Sequence, residues 1–341
     1  MITPAQIRGM FLEEALLYLL RVSGYRTINH IERGDITLLK SGAGLHVKGR
    51  GCDHQIDAIA DFAITPPFTY PQRLLVEAKN LRKHVDIEVV RNALGVLRDI
   101  QEYWVPTKMS VPTKKRFHYQ YAIASTSGYS EKAEKFAYAH DIFLIPLSRA
   151  RYFQPITTSI REFDSVNIYQ TDQQLGSFQD FRLAIRQKLY QSNSPLSQSL
   201  RLTQEAVRLV ENFIESCIGV NRGVIALLDR RFPIFLVPNP RIRLDELPAQ
   251  SPVNVRIFWD DEGWYINSAS DGQKLFSFDM PEEMLRLYLE GGNLSGDRAL
   301  DLKQENLREI QFILTLGKRI NFVTLRLDME WINHLRQRIQ R

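Results

Sequence analysis

Between Thr65 and Pro71 the chain reads TPPFTYP, and its three prolines lack the N–H groups that a sheet interior requires, so the segment must turn the chain. Strand-like runs flank it: HQIDAIADFAI from His54 to Ile64, and RLLVEAK from Arg73 to Lys79. The two are expected to pair as a hairpin. Side chains alternate along a strand, which sets Glu77 and Lys79 on one face of RLLVEAK and Leu74, Val76 and Ala78 on the other. Asp57 precedes Glu77 by 20 residues, and a hairpin of that length can bring the two carboxylates side by side.

The elements around this hairpin alternate in type. Thr3 and Pro4 fit the N-cap and first position of a helix running to Ser23, striped by Leu12, Leu16, Leu19 and Leu20 and closed by Gly24. A short strand starts at Tyr25. The four glycines of GAGLHVKGRG, from Gly42 to Gly51, read as a loop or bulged hairpin end. Helical spacing runs from Val85 to Tyr103. A basic, proline-broken loop from Trp104 leads to a strand at Tyr119, a helix capped by Ser130 and an apolar strand from Ile142 to Leu147. This order predicts an α/β fold, a mixed sheet flanked by helices, over residues 1–150. Residues 151–198 read as a connector, irregular until a helix at Phe178–Gln191 and ending in the linker-like SNSPLSQS from Ser192. A smaller α+β domain follows over 199–341. Its expected elements are a helix at Leu202–Ile218 and strand regions at Val224–Val237 and Val253–Asn267. Helices near Pro281–Leu289 and Lys303–Thr315, a strand at Asn321–Leu327 and a basic tail helix complete it.

Charge is divided unevenly along the chain. Residues 1–150 hold 20 Lys+Arg against 15 Asp+Glu, and residues 151–341 hold 24 of each, so the whole net charge of +5 lies in the first part. Such a bias suits a polyanionic partner. No apolar run reaches the roughly 18 residues of a membrane span, and the N-terminus lacks a secretory signal core, so a cytoplasmic protein is expected. Cys52 and Cys217 stand far apart and read as reduced thiols, and no zinc-type Cys/His spacing is visible.

Two carboxylates converging beside a lysine suit phosphodiester hydrolysis. Mg²⁺ binds through one or two carboxylates plus phosphate oxygens and water, and it acidifies bound water while neutralising charge at the phosphate. A lysine then orients the attacking water and stabilises the phosphorane.

The first helix and strand (LEEALLYLLRVSGYRTI), the glycine-rich approach to QID, the VEAK strand with its following helix, and YAIASTSGYSEKAEKFAYAHDIFLIPL together resemble the PD-(D/E)xK superfamily. Within it the chain is similar to the Mrr-like restriction endonucleases, over roughly residues 5–150. The resemblance implies a restriction-endonuclease-like mixed sheet and a Mg²⁺-dependent endonuclease acting on DNA, with Mn²⁺ able to substitute, in restriction or antiviral defence. It implies Asp57 and Glu77 as metal-binding carboxylates, Lys79 as the catalytic lysine, and the Ala78 carbonyl as a further metal contact. Many Mrr-like members carry Gln where this chain has Glu77, and the Glu favours full metal binding. The family's first-helix acid falls on Glu13 or Glu14. Glu13 shares a helix side with Leu16 and Leu20 and is expected to face the site through water, with Glu14 nearer solvent.

Further candidates are charge runs. Arg82 and Lys83 follow the VEAK strand, and Lys114, Lys115 and Arg116 form a second run; both suit phosphate-backbone contact. Gln55 is expected to share the strand face of Asp57 and could touch substrate, while His54 faces away as a structural residue. Residues 199–341 are expected to serve specificity, sensing or assembly, with a partner subunit or a homo-oligomer as their binding partner. Two other readings stand beside the endonuclease: a non-catalytic DNA-binding scaffold, and an effector nuclease gated by a ligand.

Overall fold

The computed structural model describes residues 3–41, 44–65, 67–103, 117–148, 150–164, 178–190, 202–220, 222–229, 231–248, 251–261, 263–288, 296–316 and 319–339. The chain opens with α1 (Pro4–Val22), whose start has the geometry its sequence suggests. Thr3 caps it, Pro4 takes its first turn, and Thr3 and Gln6 form a reciprocal capping box. Its end is sharp because Gly24 adopts φ +88, and a Cβ there would collide with Ile313 and Thr315.

Next come β1 (Arg26–Thr27), β2 (Leu38–Ser41), β3 (Gly44–Lys48), β4 (Asp53–Gln55), β5 (Ala58–Asp61) and β6 (Gln72–Lys79), then α2 (Ile87–Gln101), β7 (His118–Ser125), α3 (Glu131–Ala139) and β8 (Ile142–Pro146). Five strands form one mixed sheet in the order β1-β5-β6-β7-β8. β5 and β6 pair antiparallel, as the proline-rich turn demands, while β6, β7 and β8 run parallel through α2 and α3.

One expectation is narrowed in this region and another corrected. GAGLHVKGRG takes the hairpin reading and not the loop: β3 is a strand paired antiparallel with β2 and β4 in a separate three-stranded sheet. HQIDAIADFAI is not one strand. It bends at Ile56–Asp57, so β4 belongs to the small sheet and β5 to the large one.

One face of the large sheet, with Leu74, Val76 and Ala78, packs under α1; the other, with Ile59 and Leu75, packs under α2 and α3. At the far end of the β5–β6 pair Arg73 is 1% exposed. Its guanidinium bonds Asp61 at 2.7 Å, Asp35 at 2.9 Å and Thr37 at 2.9 Å and lies over the Phe117 ring. A buried charge held by four hydrogen bonds, two of them to the 35–37 segment, pins that segment to the sheet.

The connector is more ordered than its polar sequence suggests: α4 (Gln154–Arg161) precedes α5 (Phe178–Tyr190). The core also continues past residue 198. α6 (Gln204–Gly219) packs on α1, with the Phe213 ring centroid 4.5 Å from that of Phe11, which also meets Phe163 and Phe181. Phe153 and Phe235 join the same cluster. Segments assigned by sequence to the connector and to the domain after it therefore share one core with α1. The expected linker at 192–199 lies outside the described residues.

The remaining chain comprises β9 (Val224–Leu228), β10 (Phe232–Pro238), β11 (Val253–Asp260), β12 (Gly263–Ser268), β13 (Lys274–Phe278), α7 (Glu282–Tyr288), α8 (Gly296–Asn306), β14 (Glu309–Leu316), β15 (Arg319–Leu327) and α9 (Met329–Ile339). Its seven strands close into a barrel, β10-β13-β12-β11-β15-β14-β9. The helix expected over Lys303–Thr315 is instead the end of α8 followed by β14. Ile310, Phe312 and Leu314 are buried in the barrel core at strand period two. Among the described residues no helix is long and apolar enough to cross a membrane.

Candidate metal and phosphate site

The β5–β6 register decides where the candidate residues meet. Ala58 faces Val76, so Asp57, at the bend just before β5, arrives opposite Glu77. There its Oδ2 accepts a 2.8 Å hydrogen bond from the N–H of Ala78, which fixes the carboxylate against the Glu77–Ala78 peptide. On the same strand face Lys79 Nζ lies 2.5 Å from Glu77 Oε1. The other oxygen, Oε2, accepts the hydroxyl of Tyr121 at 3.0 Å from the neighbouring β7. All three sequence-predicted central residues thus come together, each half-buried.

The first helix contributes from across a groove of about 450 Å³ lined by Glu13, Gln55, Asp57, Lys40, Arg182 and Arg186 among others. Glu13 reaches this groove, and its Oε2 pairs with Arg182 at 2.7 Å. The expectation that Glu14 faces water is reversed. Glu14 is fully buried, held by Arg182 Nε at 2.6 Å and by Arg186 Nε and Nη2 at 2.7 and 2.5 Å. The reason is α5: it lies over α1 and supplies two guanidiniums to a carboxylate that the α1 sequence alone places near solvent. A buried carboxylate persists only with such partners.

Electrostatics couple these groups. Burial pushes the Asp57 carboxyl up, and the like charge of Glu77 adds to this, against the Ala78 N–H, Lys79 and Arg182. Burial likewise lifts Glu13 to about 7, opposed by Arg182 and assisted by Asp57 and Glu14. The Tyr121 hydroxyl is raised first by burial and then by Glu77 and Asp57, so it stays a donor.

Other candidates are placed less centrally. Gln55 ends β4 and lines the same groove, although the bend at Asp57 means the two do not share one strand face. Arg82 and Lys83 are exposed in the turn after β6. Lys114, Lys115 and Arg116 lie outside the described residues. His54 pairs with Asp99 of α2 at 2.7 Å. Sequence reasoning missed Tyr121, Arg182 and Arg186. Tyr121 alternates on the β7 face that neighbours Glu77, a signal present in YQYAIAS; the arginines, far away in sequence, gave none.

No family model matches the chain, and no curated protein matches it. Among solved structures it is similar to a crystal structure of a protein of unknown function, AF1548, at 14% identity and a TM-score of 0.32, over 61% of this chain and 96% of that one. A likeness that weak decides neither fold nor function.

Proposed function

We propose that this chain is a metal-dependent endonuclease hydrolysing DNA phosphodiester bonds, with Asp57, Glu77 and Lys79 at its centre on a restriction-endonuclease-like sheet. The observation that carries the reading is the seat of Asp57. Its carboxylate accepts the N–H next to Glu77, so two carboxylates meet at one end of an antiparallel pair, with the Lys79 ammonium on the second. The succession α1, β5–β6 hairpin, α2 and parallel β7 supports the scaffold, since it follows the segment order that the Mrr-like resemblance implies. The basic excess of residues 1–150 supports a polyanionic substrate.

The donor set fits Mg²⁺ or Mn²⁺, because hard cations take carboxylate oxygens, and a cation between Asp57 and Glu77 relieves the repulsion that helps raise Asp57. Asp57 and Glu77 would hold it, with the Ala78 carbonyl and a water-mediated Glu13 as further contacts. When bound, such an ion acidifies a water and neutralises charge at the scissile phosphate.

The rest is the work of the chain's own groups. Lys79 orients the water and donates to a phosphate oxygen as negative charge builds there. Tyr121 fixes the orientation of Glu77, and the Ala78 N–H fixes Asp57. Arg182 holds Glu13 in place on the groove side, and Arg82 and Lys83 extend phosphate contact beyond it.

Binding without cleavage is a second reading. Lys79 pairs with Glu77 and Arg182 with Glu13, so the chain itself balances much of the cluster's charge. A plasmid-nicking assay separates the two. Cleavage in Mg²⁺ or Mn²⁺ that is abolished by chelator and by Asp57→Ala is expected. A wild type that binds DNA but leaves plasmid intact in both ions makes this a binding module.

A further inference from the structure

A second cluster of ligand-type side chains lies away from the acidic pair, where the turn between β3 and β4 meets the last turn of α2. Asp99 of α2 accepts the N–H of Gly51 at 2.8 Å on Oδ1, and on Oδ2 the N–H of Cys52 at 3.3 Å. His54 Nε2 lies 2.7 Å from the same Oδ2, and Cys52 Sγ lies 3.6 Å from that nitrogen. One donor atom from each of Cys52, His54 and Asp99 falls within 4.8 Å of the others. The approach is tight by construction: a Cβ at Gly49 would collide with the Asp99 carboxylate.

A plain clasp explains part of this. Asp99 gathers backbone N–H groups and so holds the turn, and His54 supports it. The clasp does not use the thiol, since Cys52 serves it only through its backbone N–H. Yet the Cys52 side chain, exposed in the turn just before β4, places its sulfur beside the His54 imidazole, 3.6 Å from Nε2.

We propose that Cys52, His54 and Asp99 form a transition-metal site of the Zn²⁺ class, with three protein ligands and an open fourth position. In a tetrahedral site with Zn–S near 2.3 Å and Zn–N near 2.0–2.1 Å, sulfur and nitrogen stand about 3.5 Å apart. The Cys52–His54 pair already has that separation. The His54–Asp99 contact, 2.7 Å, needs to open by about 0.6–0.8 Å for a tetrahedral angle with Zn–O near 2.0–2.2 Å. Thiolate and imidazole favour Zn²⁺ or Co²⁺ over the hard cation proposed for Asp57 and Glu77. Binding would release the thiol proton and tie β4 to α2. Because β4 runs through Ile56 straight into Asp57, the metal would also stiffen the bend that carries Asp57. The site does not depend on the endonuclease reading.

The test uses the full chain, stripped with chelator and titrated with Co²⁺ and then Zn²⁺. One equivalent of Co²⁺ is expected to give a thiolate-to-metal charge-transfer band with tetrahedral ligand-field absorption, which Zn²⁺ bleaches. Cys52→Ser should remove that band and weaken Zn²⁺ binding at least roughly 100-fold, the loss that even an outer-shell partner can cause. His54→Ala should weaken it comparably while the thermal melt shows a folded chain. Asp57→Asn with Glu77→Gln should leave the band in place, which separates the two sites. Absence of the thiolate band, or unchanged Zn²⁺ affinity in folded Cys52→Ser, overturns the proposal.

Discussion

Lys79 and Glu77 stand two residues apart on one strand face, and Tyr121 holds the second Glu77 oxygen independently. Replacing Lys79 by Ala therefore removes a charge without freeing either carboxylate. If the site is catalytic, plasmid cleavage should fall roughly 10²- to 10³-fold while DNA binding survives, since one preorganised electrostatic contact is lost. Unchanged cleavage would put the active site elsewhere. Arg82→Ala with Lys83→Ala should act on the other property: the slope of log K against log salt should flatten by about one per lost phosphate contact in a salt-titrated binding assay. Arg73 belongs to stability alone. Arg73→Met leaves Asp35 without its guanidinium and Asp61 with only the half-exposed Arg26, and breaking such a buried pair typically costs about 3–5 kcal/mol, to be read from denaturant unfolding. Asp57, Glu77 and Lys79 were legible as a group because strand alternation and one proline-rich turn suffice to bring them together. Glu14 was not, because its environment is set by two arginines 168 and 172 residues further on, which no local pattern encodes.

At the scale of elements, period and punctuation carried most of the information. The Thr3 cap, the Ser130 cap and the RLLVEAK strand follow their sequence signals closely. Glycine-rich β3 and the broken β4–β5 run did not, since a strand's partner and a bend within it are tertiary choices that alternation leaves undetermined. β14 was misread although its period-two burial is present in EIQFILTL, because a helix pattern starting at Lys303 overlaps it. Lys303 itself gives a testable pH effect. Burial on α8, with Nζ 5.1 Å from the Trp331 ring, lowers it to about 8 from an ordinary 10.5. The folded state thus releases this proton before the unfolded chain does, so stability should rise with pH between about 8 and 10.5. Lys303→Met should flatten that rise and raise stability at neutral pH, as measured by unfolding at a series of pH values.

For the whole molecule, the shared core redraws the division expected at residue 198. α6 and Phe235 pack with α1 against the large sheet, so a fragment ending near 198 would expose Phe11 and its neighbours. Such a fragment should melt without cooperativity and bind a hydrophobic dye, whereas the full chain should melt sharply. A fragment 1–198 with a sharp transition at the full-length Tm would show that α6 is dispensable.

α1 itself ties the two halves together. Its middle presents Glu13 to the groove. At its end the Ser23 hydroxyl accepts the N–H of Ile225 on β9 at 2.9 Å, and Gly24 lies flush against Ile313 and Thr315 of β14. Ten residues of helix span about 15 Å between Glu13 and Ser23. A straight α-helix has no hinge along that length, so it behaves as a lever with one arm on the barrel wall. A tilt of β9 or β14 that carries α1 with it would therefore displace Glu13 at the groove.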